Sequence, residues 1–194
     1  MKIFNLYDVS EVKVEDPGLK RYINLDAKLL PKTKGKAREK FGKGKVNVVE
    51  RLINVLGTPG HRGKKHKIMT RVSGKYSQGA KIVLETFKLI QERTRENPIQ
   101  VLVRAIENSA PRDEITTIEY GGARYPQAVD ISPLRRINLA LHNIVHGAHD
   151  KAFGSKKKIY ETLANEIILA SQKSNESFAV TKKIEMEKQA DSAR

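Results

Sequence analysis

The sequence predicts a mainly α-helical fold: a bundle of about six helices carrying one protruding β-hairpin, preceded by a basic N-terminal extension. Three observations predict it. Apolar residues recur at helical spacing in five stretches after residue 46 and more weakly in a sixth. Two short alternating stretches meet at Gly121-Gly122, and cations crowd the region from Lys32 to Lys81. The organisation that follows is a basic extension over residues 1–45 and a helical domain over 46–194, with the hairpin at about 114–131.

Residues 1–30 show one turn signal, Asp16-Pro17-Gly18, and no sustained period. A first helix begins after Asn47, a capping residue with Glu50 three positions on, and carries Val49, Leu52, Ile53 and Leu56 inward until Gly57 and Pro59 end it. The stretch that follows, to about Gly79, is glycine-rich and basic with no apolar period. Ala80, Val83, Leu84, Phe87 and Ile90 form the stripe of a longer helix that stops before Pro98. Asn97 then caps a third helix with Pro98 at its first position, where a missing N–H costs nothing; Ile99, Leu102, Val103 and Ile106 face inward.

The hairpin follows. Thr116, Ile118 and Tyr120 alternate up to the glycine pair, and Tyr125, Gln127, Val129 and Ile131 alternate away from it. Pro126 cannot donate to a ladder, so its strand has an open edge and the ribbon projects. Helix resumes behind Ser132-Pro133 with Leu134, Ile137, Leu141, Ile144, Val145 and Ala148 inward, and a fifth helix is expected to start near Ser155 with Tyr160, Leu163, Ala164, Ile167 and Ile168 inward. A weakly amphipathic last segment carries Phe178 and Ile184, a helix whose end a partner would order.

Composition narrows function. The 194 residues carry a formal charge of +15, and between Lys32 and Lys81 fifteen cations face only Glu39 and Glu50. Self-repulsion of this size implies an anionic partner, nucleic acid first and an anionic membrane second. No apolar run approaches the length of a membrane span and the N-terminus lacks a signal-type apolar core, so a cytoplasmic protein is expected. The absence of cysteine excludes a thiolate nucleophile, a disulfide framework and cysteine-based zinc fingers.

The loop GTPGHRGKKHK, Gly57 to Lys67, superficially suggests a nucleotide-binding P-loop. Five residues separate Gly57 from Gly63 where that motif has four, Lys65 stands where Ser or Thr is required, and no strand precedes it. Direct phosphate contact by Arg62, Lys64, Lys65 and Lys67 fits better, with a merely solvated loop as the alternative. His142, His146 and His149 share a helix flank, but Arg135 lies on that flank two turns earlier and Asp150 is the one carboxylate nearby, so no metal is expected. No catalytic constellation and no cofactor fingerprint stands out, which predicts a protein that is not an enzyme. Lys156, Lys157 and Lys158, expected in the first helical turn, oppose the helix dipole unless an anion sits there. Arg124 and Tyr125 beside the glycine turn suit a cation on phosphate and a ring on a base.

Several blocks resemble the small-subunit ribosomal protein seven family in its archaeal/eukaryotic form: NVVERLINVLG (Asn47 to Gly57), GKK (Gly63 to Lys65), NPIQVLVRAIENSAPRDE (Asn97 to Glu114), QAVDISPLRRINLAL (Gln127 to Leu141), LANEIILAS (Leu163 to Ser171) and AVTKKIEMEKQADSAR (Ala179 to Arg194). The resemblance implies a helical bundle with a protruding hairpin and a primary binder that nucleates the head, or 3′ major, domain of small-subunit ribosomal RNA. It also implies one copy per subunit near exit-site tRNA and the mRNA path, beside small-subunit protein eleven and other head-domain proteins. It carries RNA contacts onto Lys64, Lys65, Arg112, Arg135 and Arg136, and the hairpin role onto the Gly121 to Tyr125 tip. With the charge pattern, the expected RNA-binding set also takes in Lys32, Lys34, Lys36, Arg38, Lys43, Lys45, Lys75 and Arg71. The rival class, a DNA-binding chromatin or regulatory protein, shares the charge but lacks a clean basic recognition helix after a short turn.

Overall fold

The computed structural model describes residues 2–33, 37–58 and 75–194. Seven α-helices and one two-stranded antiparallel sheet are present among them: α1 (Pro17–Lys20), α2 (Val48–Gly57), α3 (Tyr76–Thr94), α4 (Pro98–Ser109), β1 (Asp113–Tyr120), β2 (Ala123–Asp130), α5 (Pro133–Ala152), α6 (Ile159–Ser171) and α7 (Phe178–Ser192). None of these helices is long and apolar enough to cross a membrane.

Local sequence cues set several of the boundaries. Asn47 and Asn97 cap α2 and α4, their side chains accepting from the N–H groups of Val49 and Ile99, and Pro98 occupies the first turn of α4. The capping box expected at α2 does not close on itself. Glu50 instead accepts from the backbone N–H and hydroxyl of Thr33, at 2.9 and 2.6 Å, and so pins the chain before the basic arm to α2.

α6 is the central element, packed against α3, α4, α5 and α7. Leu163, Ala164 and Ile167 on α6 meet Leu102 and Ile106 of α4, Leu141 and Val145 of α5 and Phe87 of α3 in one continuous core, all fully buried. Residues 2–23, where the pattern shows only a turn, run as a strap over this bundle. Ile3, Tyr7, Leu19 and Ile23 enter the core, with the Tyr7 ring edge-on to Phe87 at 5.7 Å. The strap's backbone is held by side chains of α4: Asn97 donates to the Asp8 carbonyl, Gln100 bonds both polar groups of Lys13, and Glu107 accepts from the N–H groups of Glu15 and Asp16.

The fifth helix begins later than expected, at Ile159. Phe153 and Gly154, the latter at φ 70°, end α5, and the Ser155 hydroxyl accepts from the Lys157 N–H. That local hydroxyl-to-backbone bond competes with helix formation. Lys156 and Lys157 therefore lie in the connecting loop with Lys158 at the cap position, rather than in a helical first turn.

The hairpin pairs Asp113 with Asp130 through Tyr120 with Ala123. Its two-residue turn has Gly121 and Gly122 at φ 58° and 80°, the positive values a tight hairpin turn of matching twist demands. Because hydrogen-bonded and non-bonded pairs alternate from that turn, Pro126 opposite Thr117 falls at a non-bonded pair with its nitrogen toward the free edge. The ribbon's outer part is exposed, and only its base is held: Arg194 pairs with Asp113, Arg135 with Glu114, and the Arg112 N–H donates to Glu187 of α7.

The α5–α6–α7 junction is tight. A Cβ added at Gly147 would lie 2.7 Å from Cβ of Phe178 and 3.0 Å from Cδ of the buried Glu166. Gly147→Ala is therefore expected to destabilise the fold by about 1–3 kcal/mol, since α5 and α7 must separate. Chemical denaturation of variant and parent measures it, and equal midpoints would contradict the packing described.

Candidate nucleic-acid interface

The expected RNA-binding residues divide by what holds them. Lys34, Lys36, Arg62, Lys64, Lys65, Lys67 and Arg71 lie outside the described residues. Apart from Arg112 and the nearly buried Arg136, the remainder occupy three regions of the surface.

The first is the arm together with the start of α5. Tyr76, at the head of α3, donates its hydroxyl to the Pro31 carbonyl at 2.5 Å; burial, with Glu50 adding, pushes its phenol up to about 12. Lys32 lies over the same ring, 5.0 Å from its centre. This anchor fixes where the basic arm leaves the bundle. Arg38 and Lys43 are exposed and pair with no carboxylate among the described residues, as is Lys75 just before α3. Lys45 reaches Glu39 at 3.2 Å, but both side chains are open to solvent, so the pair holds little energy. The arm returns to the bundle through the Asn24 and Asn47 side chains and the short 3-10 turn Gly42–Lys45. That turn brings Lys45 to the same hollow as Arg135 of α5.

Arg135 and Arg136 are adjacent but differ. Arg135 is half exposed and donates through Nε and Nη2 to Glu114, at 3.0 and 2.7 Å, which raises its pKa further and orients the hairpin base. Arg136 is nearly buried; it donates to Asp16 at 3.0 Å and to the Pro111 carbonyl, joining the strap to α5. Arg51, one of the cations counted in the basic region, is likewise internal. It bonds the Tyr22 carbonyl and Asn138, and burial brings its guanidinium down to about 10.

The second region is the hairpin. Arg124 faces Glu119 across the strands at 3.6 Å, both exposed, and Tyr125 shares a face with Ile118 and Tyr120. Eight residues per strand put the tip about 25 Å beyond the base. The third is the loop of Lys156, Lys157 and Lys158, all exposed, with Lys158 5.7 Å from the Tyr160 ring centre. The twenty residues of α5 place it about 30 Å from Arg135. The described cations are thus spread over a broad frame and not gathered into one cleft.

Arg112 stands apart from the arm, beside a hollow of about 470 Å³ that it shares with Lys173 and Lys183. Burial lowers the Lys183 pKa; Glu187 opposes this, and the nearby Arg112, Arg136 and Lys173 add to it. Sequence reading also missed Arg21, exposed beside the Lys45–Arg135 hollow, and Phe41. The signal for Phe41 was available: a lone aromatic in Lys40-Phe41-Gly42-Lys43-Gly44-Lys45 has no apolar period to belong to.

The three histidines do not form a metal site. Among the described residues no group of three or more His, Cys, Asp or Glu converges as metal ligands do. The rings of His142 and His146 lie 5.7 Å apart, while His149 turns into the core with both ring nitrogens buried and unbonded.

The family described as ribosomal protein S7p/S5e matches residues 19–194. The chain is 51% identical over 199 residues to small ribosomal subunit protein uS7 of Nanoarchaeum equitans, spanning 100% of this chain and 99% of that protein. It is 49% identical to the protein of the same name from Methanothermobacter thermautotrophicus, over 98% of each chain. With that of Methanosphaera stadtmanae the identity is 46%, over 99% of this chain and 98% of the other.

Burial brings the His149 imidazole down to about 4 from 6.5, with His146 adding and Asp150 opposing, and burial chiefly lowers His142 as well. A depressed folded-state pKa means that the unfolded chain binds the proton first. Stability is therefore expected to be complete above about pH 6.5 and to fall by up to about 3 kcal/mol toward pH 4. His149→Leu should remove most of that slope in denaturation midpoints taken across the window. A slope unchanged in the variant would show that His149 is not its source.

Proposed function

The chain belongs to the ribosomal protein S7p/S5e family, and from that membership we infer that it is a primary binder of small-subunit ribosomal RNA whose attachment nucleates folding of the head, or 3′ major, domain. As a small-subunit ribosomal protein it is a structural constituent of the cytoplasmic ribosome and not an enzyme. The observation that carries the finer reading is the spacing of exposed cations over one closely packed helical frame. Arg38 and Lys43 on the arm, Lys75 before α3, and Lys156 and Lys157 in the α5–α6 loop face solvent and pair with no carboxylate among the described residues.

Phosphates brought together by a folded multi-helix junction meet all of these positions at once, whereas an unfolded strand meets few. Binding then stabilises the folded junction by mass action, and recognition follows RNA shape more than base sequence. Within this reading residues 1–45 act as the arm, with Lys32, Arg38, Lys43 and Lys45 on phosphates, and residues 46–194 as the RNA-binding frame. Lys34, Lys36, Arg62, Lys64, Lys65, Lys67 and Arg71 extend the arm's contact. Arg135 and Arg112 serve both the fold and the RNA, and Arg136 mainly positions them. The projecting ribbon, with Arg124 and Tyr125 at its end, is suited to reach exit-site tRNA, the mRNA path and a neighbour such as protein eleven, with one copy of the chain per subunit.

Binding to the isolated 3′ major domain of small-subunit ribosomal RNA, measured at two salt concentrations against duplex DNA and an unrelated structured RNA of equal length, tests the reading. Tight binding to the ribosomal fragment at salt that releases both competitors is expected. Replacing Lys64 and Lys65 with alanine should flatten the salt dependence by about one unit of slope per lost phosphate contact. Equal affinity for all three nucleic acids would contradict specific assembly and favour a generic polycation.

A further inference from the structure

The hollow between the arm and the head of α5, about 610 Å³, combines features that phosphate neutralisation alone does not need. Tyr22, Leu134 and Phe41 give it apolar and aromatic walls, while Arg21, Lys45 and Arg135 stand around it and no acidic side chain lines it. Two other hollows of comparable size among the described residues mix signs: Arg93, Arg104 and Lys151 with Glu96 in one, and Arg112, Lys173 and Lys183 with Asp16 and Glu107 in the other.

Phe41 is the unusual member. The residue is 73% exposed, with the Lys40 ammonium 5.6 Å from its ring centre, and its backbone is in the left-handed region at φ 62°, a conformation bulky side chains rarely adopt. Burial does not account for the ring's position, because the core lies elsewhere. Leu134, expected in the inward stripe of α5, is instead only half-buried and forms part of the wall. Lys45 and Arg135 each keep a carboxylate partner outside the hollow, Glu39 and Glu114, yet an apolar cleft with three cations and no acidic side chain in its lining fits a flat aromatic group that carries negative charge on either side.

We propose that this hollow receives an unstacked nucleobase of the bound RNA, stacked on Phe41, with its flanking phosphates on Arg21, Lys45 and Arg135. The proposal deepens the RNA-binding reading and rests on it. Sequence-tolerant stacking on an exposed aromatic, with cations on the adjoining backbone, is a general mode of single-strand recognition.

The test uses the full chain and a single-stranded RNA hexamer with 2-aminopurine at a central position, together with the 3′ major domain fragment. Phe41 is exposed, so Phe41→Ala leaves the fold intact, which circular dichroism checks. In wild type the 2-aminopurine should be quenched. Phe41→Ala should abolish the quench and weaken binding on the order of ten-fold with an unchanged salt slope, because stacking releases no counterions. Phe41→Trp should retain both. Gly44→Leu offers an independent block: a Cβ there would sit 3.5 Å from Cδ1 of Tyr22 and 3.8 Å from Cδ1 of Leu134, so a longer side chain fills the space. A quench and affinity unchanged in Phe41→Ala would overturn the proposal and leave the hollow to another occupant, such as an apolar protein segment. A loss accompanied by a flattened salt slope would overturn it too. If the 3′ major domain fragment binds no better than its competitors while the hexamer still stacks on Phe41, the assembly reading falls and the base pocket stands.

Discussion

Glu166 has no exposed surface, and the outward-reaching parts of the molecule depend on how its charge is met. Its Oε1 accepts from the Ser177 hydroxyl at 2.8 Å and from the Ala179 N–H at 3.1 Å, the start of α7; its Oε2 meets the Lys151 ammonium at 2.7 Å, from the last turn of α5. A carboxylate taken fully out of water is costly unless each oxygen has a partner, and here a helix N-terminus, a hydroxyl and a lysine supply them. With no Cβ at Gly147, α5 and α7 can both come close to the carboxylate. α7 in turn braces the hairpin, through Glu187 on the Arg112 N–H and, just past its end, Arg194 on Asp113, while Lys183 holds the Asn108 carbonyl near the end of α4. Two isolated strands are marginal by themselves, so the ribbon's direction is inherited from this brace.

The same economy appears among the cations. The formal charge of +15 is not a uniform coat. Arg51 and Arg136 are drawn inside to bond carbonyls and an amide or carboxylate, tying residues 16–22 to α2 and α5. Internal guanidiniums fix the positions from which the exposed lysines and arginines act. On the proposed RNA-binding role, a polyanion would meet charges at set separations, and a folded RNA that matches them would be preferred over another of equal charge.

Features encoded within a turn or two of chain were legible in the sequence: the Asn47 and Asn97-Pro98 helix starts, the Gly121-Gly122 turn, the open edge at Pro126 and the inward stripes of α3 to α5, except at the half-buried Leu84 and Leu134. Features that depend on distant partners were not. Glu50 reads as half of a capping box, yet it serves Thr33, seventeen positions away. The strap shows no period because it contributes single side chains, Ile3, Tyr7, Leu19 and Ile23, while its backbone is satisfied by α4 about ninety residues on. The interface was legible as a charge but not as a surface. Nothing local separates Arg136, paired and nearly buried, from Arg135, half exposed, or assigns Lys156 and Lys157 to a loop instead of a helical turn.

The central claim is that a rigid frame, and not charge alone, selects the RNA. Glu166→Gln tests it most directly, because it removes the buried charge while keeping the shape. Amide hydrogen exchange over α7 and the base of β1, together with affinity for the folded 3′ major domain fragment and for an unstructured RNA of equal length, would be read on the same protein. Faster exchange in α7 and the hairpin base, weaker binding to the folded fragment and unchanged binding to the unstructured strand are the results expected. Loosened α7 with undiminished preference for the folded fragment would contradict the claim, and would show that the cations recognise RNA without the frame that spaces them.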